Sequence, residues 1–202
     1  MPAIASSAFR SPMLDHVFAD AIGALRSALE LAMLERQAVE ERFTTDALLG
    51  DTRWETSYSI PGEGDPPNVQ ADITFLWPTW SQTAYRSWFL TGELSTVPSI
   101  EADIIIRAQG LNSPPDVGSV AAALPDQSPP MGRDRLVRVP GASLEQLHDE
   151  RYEPSSYALE FAYSGSFSVR AEVLADGNLL DEIFSAAGGW ISGTLISLSD
   201  AV

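Results

Sequence analysis

The chain contains two histidines, His16 and His148, and a Ser-His-Asp hydrolytic triad would have to use one of them. His16 falls in a predicted helix between aspartates, where a solvated or docking position is the simpler interpretation. His148 ends a predicted short helix, where a protonated imidazole would interact favourably with the helix dipole. No G-x-S-x-G elbow supplies an activated serine. A hydrolase that depends on His148 or on carboxylates is therefore the third of three functional hypotheses.

Carboxylates are abundant, since the chain has 28 Asp and Glu residues. Composition leaves a two-carboxylate glycosidase mechanism open, but no spacing singles out a pair. Glu101 and Asp103 alternate along a predicted strand, which is typical of a solvated strand face. No EF-hand loop is present, and residues 62–65 are better interpreted as a polar turn than as a calcium loop. We predict no catalytic residue, no metal site and no cofactor.

Two missing residue types exclude several classes of enzyme. All 12 basic residues are arginine, and there is no cysteine. Schiff-base chemistry, attachment of pyridoxal phosphate and the phosphate-binding lysine of P-loop proteins and protein kinases all need lysine. Thiolate zinc sites, iron–sulfur clusters, disulfides and cysteine nucleophiles need cysteine. The sequence thus argues against most covalent and phosphate-handling enzymes.

The densest basic segment contains Arg133, Arg135 and Arg138, with Asp134 among them. Guanidinium groups bind carboxylates in a bidentate manner, so Arg135 and Arg138 are candidates for contacts with an acidic partner or ligand. The alternative interpretation, which we favour, is that these arginines neutralise the acidic surface of the chain itself.

Aromatic residues cluster between Trp77 and Phe89. Most aromatic side chains on a strand face belong to the core. Trp80 falls in a predicted turn, however, where nothing obliges it to be buried. Exposed Trp and Tyr side chains anchor protein interfaces and also form sugar-binding platforms. We therefore select Trp80, Tyr85 and Trp88 as candidate binding residues.

A long amphipathic helix is predicted over residues 13–43, after the N-cap pattern Ser11-Pro12. Its apolar residues recur every three or four positions, namely Leu14, Phe18, Ala21, Leu25, Ala28, Ala32 and Val39. This stripe, represented by Phe18 and Leu25, either docks on the sheet of the same chain or pairs with another subunit. At 1.5 Å per residue the helix would extend about 45 Å, more than the face of a small sandwich.

After Gly50 the apolar residues follow a period of two, which indicates strands. Residues 54–60 and 69–77 form a predicted hairpin around a Pro- and Gly-rich turn. Further strands are predicted at 84–90, 100–108, 135–139, 156–163, 167–174, 178–184 and 190–198. Between them lies a proline-rich loop near 111–133 with one helical turn, and a capping-box pattern predicts a short helix at 144–149.

These elements predict a mainly β fold of the α+β class, with an antiparallel β-sandwich or barrel-like domain behind one long N-terminal helix. The predicted organisation is a helical segment at 1–50 and an antiparallel β domain at 51–202. At 202 residues and 45% hydrophobic composition the chain has enough apolar residues for a core.

The net charge of −16 disfavours binding to nucleic acids and to anionic membranes. No segment has the pattern of a secretory signal, and no apolar run approaches the roughly 20 residues that span a bilayer. We therefore expect a cytoplasmic protein, and the exclusive use of arginine suggests a GC-rich bacterial genome.

The first functional hypothesis is a non-catalytic adaptor or assembly subunit of a bacterial complex. It would use the N-terminal helix and the aromatic patch to bind a protein partner or a second copy of the chain. The second is a β-sandwich that binds carbohydrate or another small ligand through Trp80, Tyr85 and Trp88.

Overall fold

The computed structural model describes residues 12–48, 50–61, 66–93, 96–132, 134–149, 152–168 and 177–202. Within these ranges the side chains of residues 12–22, 41–43, 45–48, 149, 152–155 and 177–179 are left out of the description. The elements in chain order are α1 (Pro12–Leu34), β1 (Val39–Leu48), β2 (Asp51–Ser59), β3 (Val69–Trp77), α2 (Thr79–Thr91), β4 (Ser99–Leu111), α3 (Val117–Ala123), β5 (Val137–Arg138), β6 (Ser143–Asp149), β7 (Tyr152–Ser168) and α4 (Gly177–Ala201).

The seven described strands form one antiparallel sheet in the order β1-β2-β3-β4-β7-β5, and β6 also pairs with β7. β4 pairs with one side of β7, and β5 and β6 both pair with the other side of β7. The predicted α+β class and the antiparallel pairing are confirmed. The predicted sandwich or barrel is replaced, within the described residues, by a single sheet with α1 and α4 packed against one face.

The core lies between that face and the two helices. Alternation along the strands is as predicted, since every second residue of β3 from Val69 to Trp77 is buried. The largest fully buried side chains include Trp54, Trp77, Tyr163, Phe161, Phe184, Leu25 and Met33. The ring of Phe184 on α4 lies 6.2 Å from both Phe75 and Phe167 on the sheet. Such edge-on ring contacts add to the stabilisation from buried apolar area.

The predicted helix over 13–43 is too long at its C-terminal end, because α1 ends at Leu34 and residues 39–48 form β1. Gln37 adopts a left-handed conformation with φ of 59°. The N–H of Ala38 donates to the carbonyl of Met33 at 3.1 Å, and that of Gln37 donates to Leu34 at 2.9 Å. This pair of bonds is a Schellman ending. With this ending, helix α1 has 23 residues and extends about 35 Å at 1.5 Å per residue.

The predicted strand at 84–90 is also wrong, because residues 79–91 form α2. Pro78 stands at the N-cap, and Gly92 ends the helix with φ of 73°. Pro at the start and Gly just beyond the end are ordinary helix boundaries. Trp80 therefore lies in the first turn of a helix and not in a connecting turn.

The two strands predicted at 178–184 and 190–198 are one helix, α4. Gly188 and Gly189, which stand between the two predicted strands as a turn would, both lie inside the helix. A Cβ on Gly188 would lie 3.1 Å from the Cβ of Ala32, and one on Gly189 would lie 3.2 Å from the Arg36 guanidinium. The glycines allow α4 to approach α1 closely. In the predicted sandwich, a second sheet would cover the apolar face of the first. In the structure, α1 and α4 cover that face.

The predicted short helix at 144–149 is a strand, β6, which pairs with β7. The helical turn predicted in the proline-rich loop is present as α3, which Asp116 caps by accepting the N–H of Gly118 at 3.0 Å. The strand predicted at 167–174 overlaps the end of β7 at Phe167 and Ser168, and its remainder lies outside the described residues. None of the described helices has the length and hydrophobicity needed to cross a bilayer.

Candidate functional site

The predicted aromatic patch is divided between the core and the surface. Tyr85 is 6% exposed, and its ring lies 5.5 Å from Trp77 and 5.9 Å from the half-buried Trp88. Burial raises the pKa of Tyr85. Trp80 is 52% exposed, and about 140° of helical rotation separates it from Tyr85 at 100° per residue. The structure therefore places Trp80 and Tyr85 on different sides of α2, and the three rings do not form one platform.

Arg135 and Arg138 contact main-chain groups of their own chain. One terminal nitrogen of Arg138 donates to the carbonyls of Ala121 at 2.7 Å and Leu124 at 3.3 Å, and the other donates to Asp126. Arg135 donates to the carbonyl of Ser128 at 3.0 Å. These contacts attach the proline-rich loop to the strand region beside β7. Arg133 lies outside the described residues.

The apolar stripe of α1 faces the sheet and α4. Leu25 is 1% exposed, and Ala28, Leu29, Ala32 and Met33 are also buried. The described part of the stripe is therefore covered within one chain. The side chains of Phe18 and His16 lie outside the described residues.

His148 lies on β6 and is exposed, so it is not at the end of a helix as predicted. Glu101 and Asp103 are exposed on β4, as expected for a solvated strand face. Among the residues whose side chains are described, no group of three His, Asp or Glu residues is placed to hold a metal ion.

The sheet face opposite α1 and α4, called here the open face, carries a polar network at its centre. Asp72 accepts hydrogen bonds from Ser57 Oγ and Gln70 Nε2, each at 2.6 Å. Arg107 Nε donates to Glu160 Oε1 at 2.7 Å, and another nitrogen of Arg107 lies 3.9 Å from Asp72. Because these charged groups satisfy one another across three strands, the centre of the open face is a stable solvated surface.

Towards β7 the open face becomes apolar and concave. Ile105 pairs with Ala162, whose carbonyl accepts the N–H of Val139 at 2.8 Å. Two adjoining depressions, of about 470 and 330 Å³, share these three residues. The apolar row thus leads from the middle of the sheet to its last strands.

The outer edge of the sheet, defined as residues 137–149, is the most exposed part of the described strands. Every residue from Val139 to His148 is exposed. Among the described strands, β6 pairs only with β7. No described strand therefore lies on the other side of β6. β6 also continues past the end of β4, since Asp149 pairs with Tyr152 whereas β4 ends at Leu111 opposite Tyr157.

Four large apolar side chains project from this outer edge. Val137 is 56% exposed, Val139 42%, Leu144 42% and Leu147 45%. Leu144 pairs with Leu159 on the core side, and Leu147 pairs with Ser156 on the open side. Both faces of β6 therefore carry an exposed leucine, and β7 is the strand partner of β6 among the described residues. Sequence patterns do not reveal these residues, because S-L-E-Q has the pattern of a capping box and predicts a helix. The pairing of β6 depends on β7, which a local pattern does not contain.

A scan against protein-family models, a search of curated proteins and a search of solved structures each find no match to this chain. No relative therefore contributes to the assignment of a function to this surface.

Proposed function

We propose that this chain is a non-catalytic protein-binding subunit, acting in the bacterial cytoplasm, that contacts its partner through the outer edge of the sheet. The observation that supports this proposal is the uninterrupted exposure from Val139 to His148, with Leu144 and Leu147 at 42% and 45%. A sheet edge with exposed apolar side chains is a ready surface for association.

The surface proposed differs from the one suggested by the sequence. The stripe of α1 that contains Leu25 is occupied within the chain, and Tyr85 is packed against Trp77. Phe89 is 49% exposed on α2, and Trp80 remains 52% exposed in the first turn of the same helix. We assign it no part in the proposed contact, because nothing joins it to the outer edge.

The charge of the chain favours a basic partner over a second copy. The net charge is −16, and β6 contributes Glu145 and Asp149 without any arginine. Two copies would bring like charges together, whereas complementary charge increases the association rate and discriminates against wrong partners. The proposed partner is a protein with a positively charged binding segment.

The test replaces both leucines, as Leu144→Ser with Leu147→Ser, in the full chain expressed in its source cell. The matched control is Leu90→Ser with Ile196→Ser, two leucine-sized residues that are 65% and 50% exposed on α2 and α4. We expect the amount of partner that co-purifies with the edge variant to fall by roughly tenfold or more, which is equivalent to about 1.4 kcal/mol. The control should retain its partner.

Substitutions at such exposed positions change stability by less than about 0.5 kcal/mol, so the melting temperature separates loss of binding from loss of folding. Retention of the partner by the edge variant, or equal loss from both variants, would contradict the proposal. Co-purification of a second copy alone would contradict the choice of a basic partner.

A further inference from the structure

We infer that β6 binds its partner by strand addition, taking up an extended basic segment as an eighth strand beside Ser143–Leu147. This inference rests on the proposed function and specifies how the outer edge would bind. In such a complex the main-chain N–H and C=O groups of the edge supply affinity, and alternate side chains supply specificity.

The two edges of the described sheet differ in how they are protected against pairing. β1, at one edge, contains the consecutive charged residues Glu40, Glu41 and Arg42 and has a register irregularity between Glu40 and Arg42. Charges and bulges are common devices that prevent a strand from pairing with another chain. β1 therefore carries these protective devices in its first part, and its register with β2 is regular from Arg42 to Leu48.

β6 lacks most of these devices. Its sequence from Ser143 to Asp149 has no proline, lysine or arginine, and its register with β7 is regular from Ser143 to Leu147. The irregularity comes only between Leu147 and Asp149. Five consecutive residues are thus available in regular geometry, a length of about 17 Å at 3.4 Å per residue.

The side chains of β6 define the segment that would fit. An added strand places its residues about 5 Å from those of β6 on each face, which is close enough for cross-strand pairs. An aliphatic residue suits the position beside Leu144, and the neighbouring position, beside Glu145 on the opposite face, suits Lys or Arg. A segment that alternates aliphatic and basic residues places its aliphatic side chains beside Leu144 and its basic ones on the face of Glu145 and Leu147, where the methylene stem of a lysine can pack on the leucine. Its charge is opposite to the −16 of the chain.

The probe is a ten-residue peptide of alternating valine and lysine, added to the full-length ¹⁵N-labelled protein. Two controls accompany it: a valine–glutamate peptide of the same length, and the valine–lysine peptide N-methylated at every residue. N-methylation at every residue removes the main-chain donors of both strand edges and retains every side chain. Amide hydrogen exchange is measured residue by residue.

We expect the basic peptide to slow exchange within Ser143–Leu147 by roughly tenfold or more, because amides in new hydrogen bonds exchange only after the complex opens. The acidic and the N-methylated peptides should leave these amides unchanged. Absence of protection at β6, protection at β1 in its place, or equal binding of the N-methylated peptide would overturn strand addition.

Failure of strand addition can be distinguished from failure of the proposed function, in which the outer edge is the contact surface. Loss of the cellular partner from the Leu144→Ser, Leu147→Ser variant, combined with no peptide protection at β6, overturns the binding mode and leaves the outer edge as the contact surface. Retention of the partner by that variant overturns both.

Discussion

Two glycines five positions apart on α4 have opposite surroundings. A Cβ on Gly188 would meet the Cβ, carbonyl carbon and oxygen of Ala32 at 3.1–3.2 Å, whereas one on Gly193 would have nothing within 4 Å. Both residues are helical, so a given substitution changes helix propensity equally at both. The difference between the stability losses that one substitution causes at Gly188 and at Gly193 therefore measures how closely α4 packs on α1.

We predict that Gly188→Val lowers the free energy of unfolding by about 1–3 kcal/mol, because the added methyl groups force the helices apart. Gly193→Val should change it by less than about 0.5 kcal/mol. Urea unfolding followed by circular dichroism measures both. Equal effects at the two positions would show that α4 does not approach α1 at Gly188.

The tyrosines dominate titration in alkaline solution, because the chain has five tyrosines and neither lysine nor cysteine. Burial raises the pKa of Tyr58 to about 12, against the opposing effect of a hydrogen bond with Thr56 and with a smaller contribution from the nearby Glu40 carboxylate. Burial also raises the pKa of Tyr163, against the opposing effect of the Arg138 guanidinium. The folded chain thus holds these protons more tightly than the unfolded chain, in which tyrosine titrates near 10.

We predict that stability is independent of these groups below pH 10 and falls as the pH rises from about 10 towards 12, because the unfolded state loses its tyrosine protons first. The free energy of unfolding of Tyr58→Phe should fall less steeply with pH between about pH 10 and pH 12. Denaturant unfolding at a series of pH values provides the measurement. An identical slope in the variant would mean that Tyr58 titrates normally in the folded state.

At the scale of the elements, α2 is attached to the end of the sheet by one buried hydroxyl. Ser81 Oγ accepts the indole N–H of Trp77 at 3.0 Å and the main-chain N–H of Ser99 at 2.8 Å, and it donates to the carbonyl of Ser99 at 2.7 Å. Ser81 is fully buried. It therefore links α2 to the end of β3 and the start of β4.

Ser81→Ala should lower the free energy of unfolding by about 1–3 kcal/mol, because it removes hydrogen bonds from buried donors and an acceptor. Thr83→Ala is the control on the same helix, since Thr83 is exposed and bonds only the carbonyl of Thr79 at 2.8 Å in the described contacts. Thermal unfolding compares the two variants. If Ser81→Ala is as stable as the control, α2 is held by its apolar contacts and by the hydrogen bonds of Thr79 and Gln82 to residues 50–52.

The sequence predicted the strands with strong alternation, namely β2, β3, β4 and the middle of β7, because one face of each is buried. The predicted break between 163 and 167 is wrong, because β7 continues to Ser168. It failed where local patterns favour a different structure from the one stabilised by distant contacts. Gly188-Gly189 resembles a turn, yet these glycines allow contact with α1. Gln37 ends α1 without a glycine or proline signal, so the charged residues that follow looked like more of the helix.

The candidate site was harder to predict than the fold, because edge position is a property of the whole sheet. Arg138 could be selected from sequence as a basic residue, but its contacts with Ala121 and Leu124 depend on how the proline-rich loop folds back. Leu144 and Leu147 appear in sequence as ordinary core residues of a helix. Only the order of the strands shows that they lie on the last strand.

At the scale of the whole molecule, one face of the sheet is covered by helices, and the other carries a polar network at its centre and apolar depressions towards β7. Of the two described edges, β6 carries Glu145 and Asp149 but no run of charged residues, and its register with β7 is regular from Ser143 to Leu147. The net charge of −16 then favours a basic partner. The account therefore predicts one contact surface at one edge of the molecule.

The most direct test of this claim is site-specific photo-crosslinking in the source cell. A photoreactive residue is placed in turn at Leu144, at Trp80 on α2 and at Ile196 on α4, which are 42%, 52% and 50% exposed. We predict crosslinks to a basic protein from position 144 alone. Crosslinks to a partner from position 80 or 196 with none from 144 would contradict the assignment of the outer edge as the binding surface.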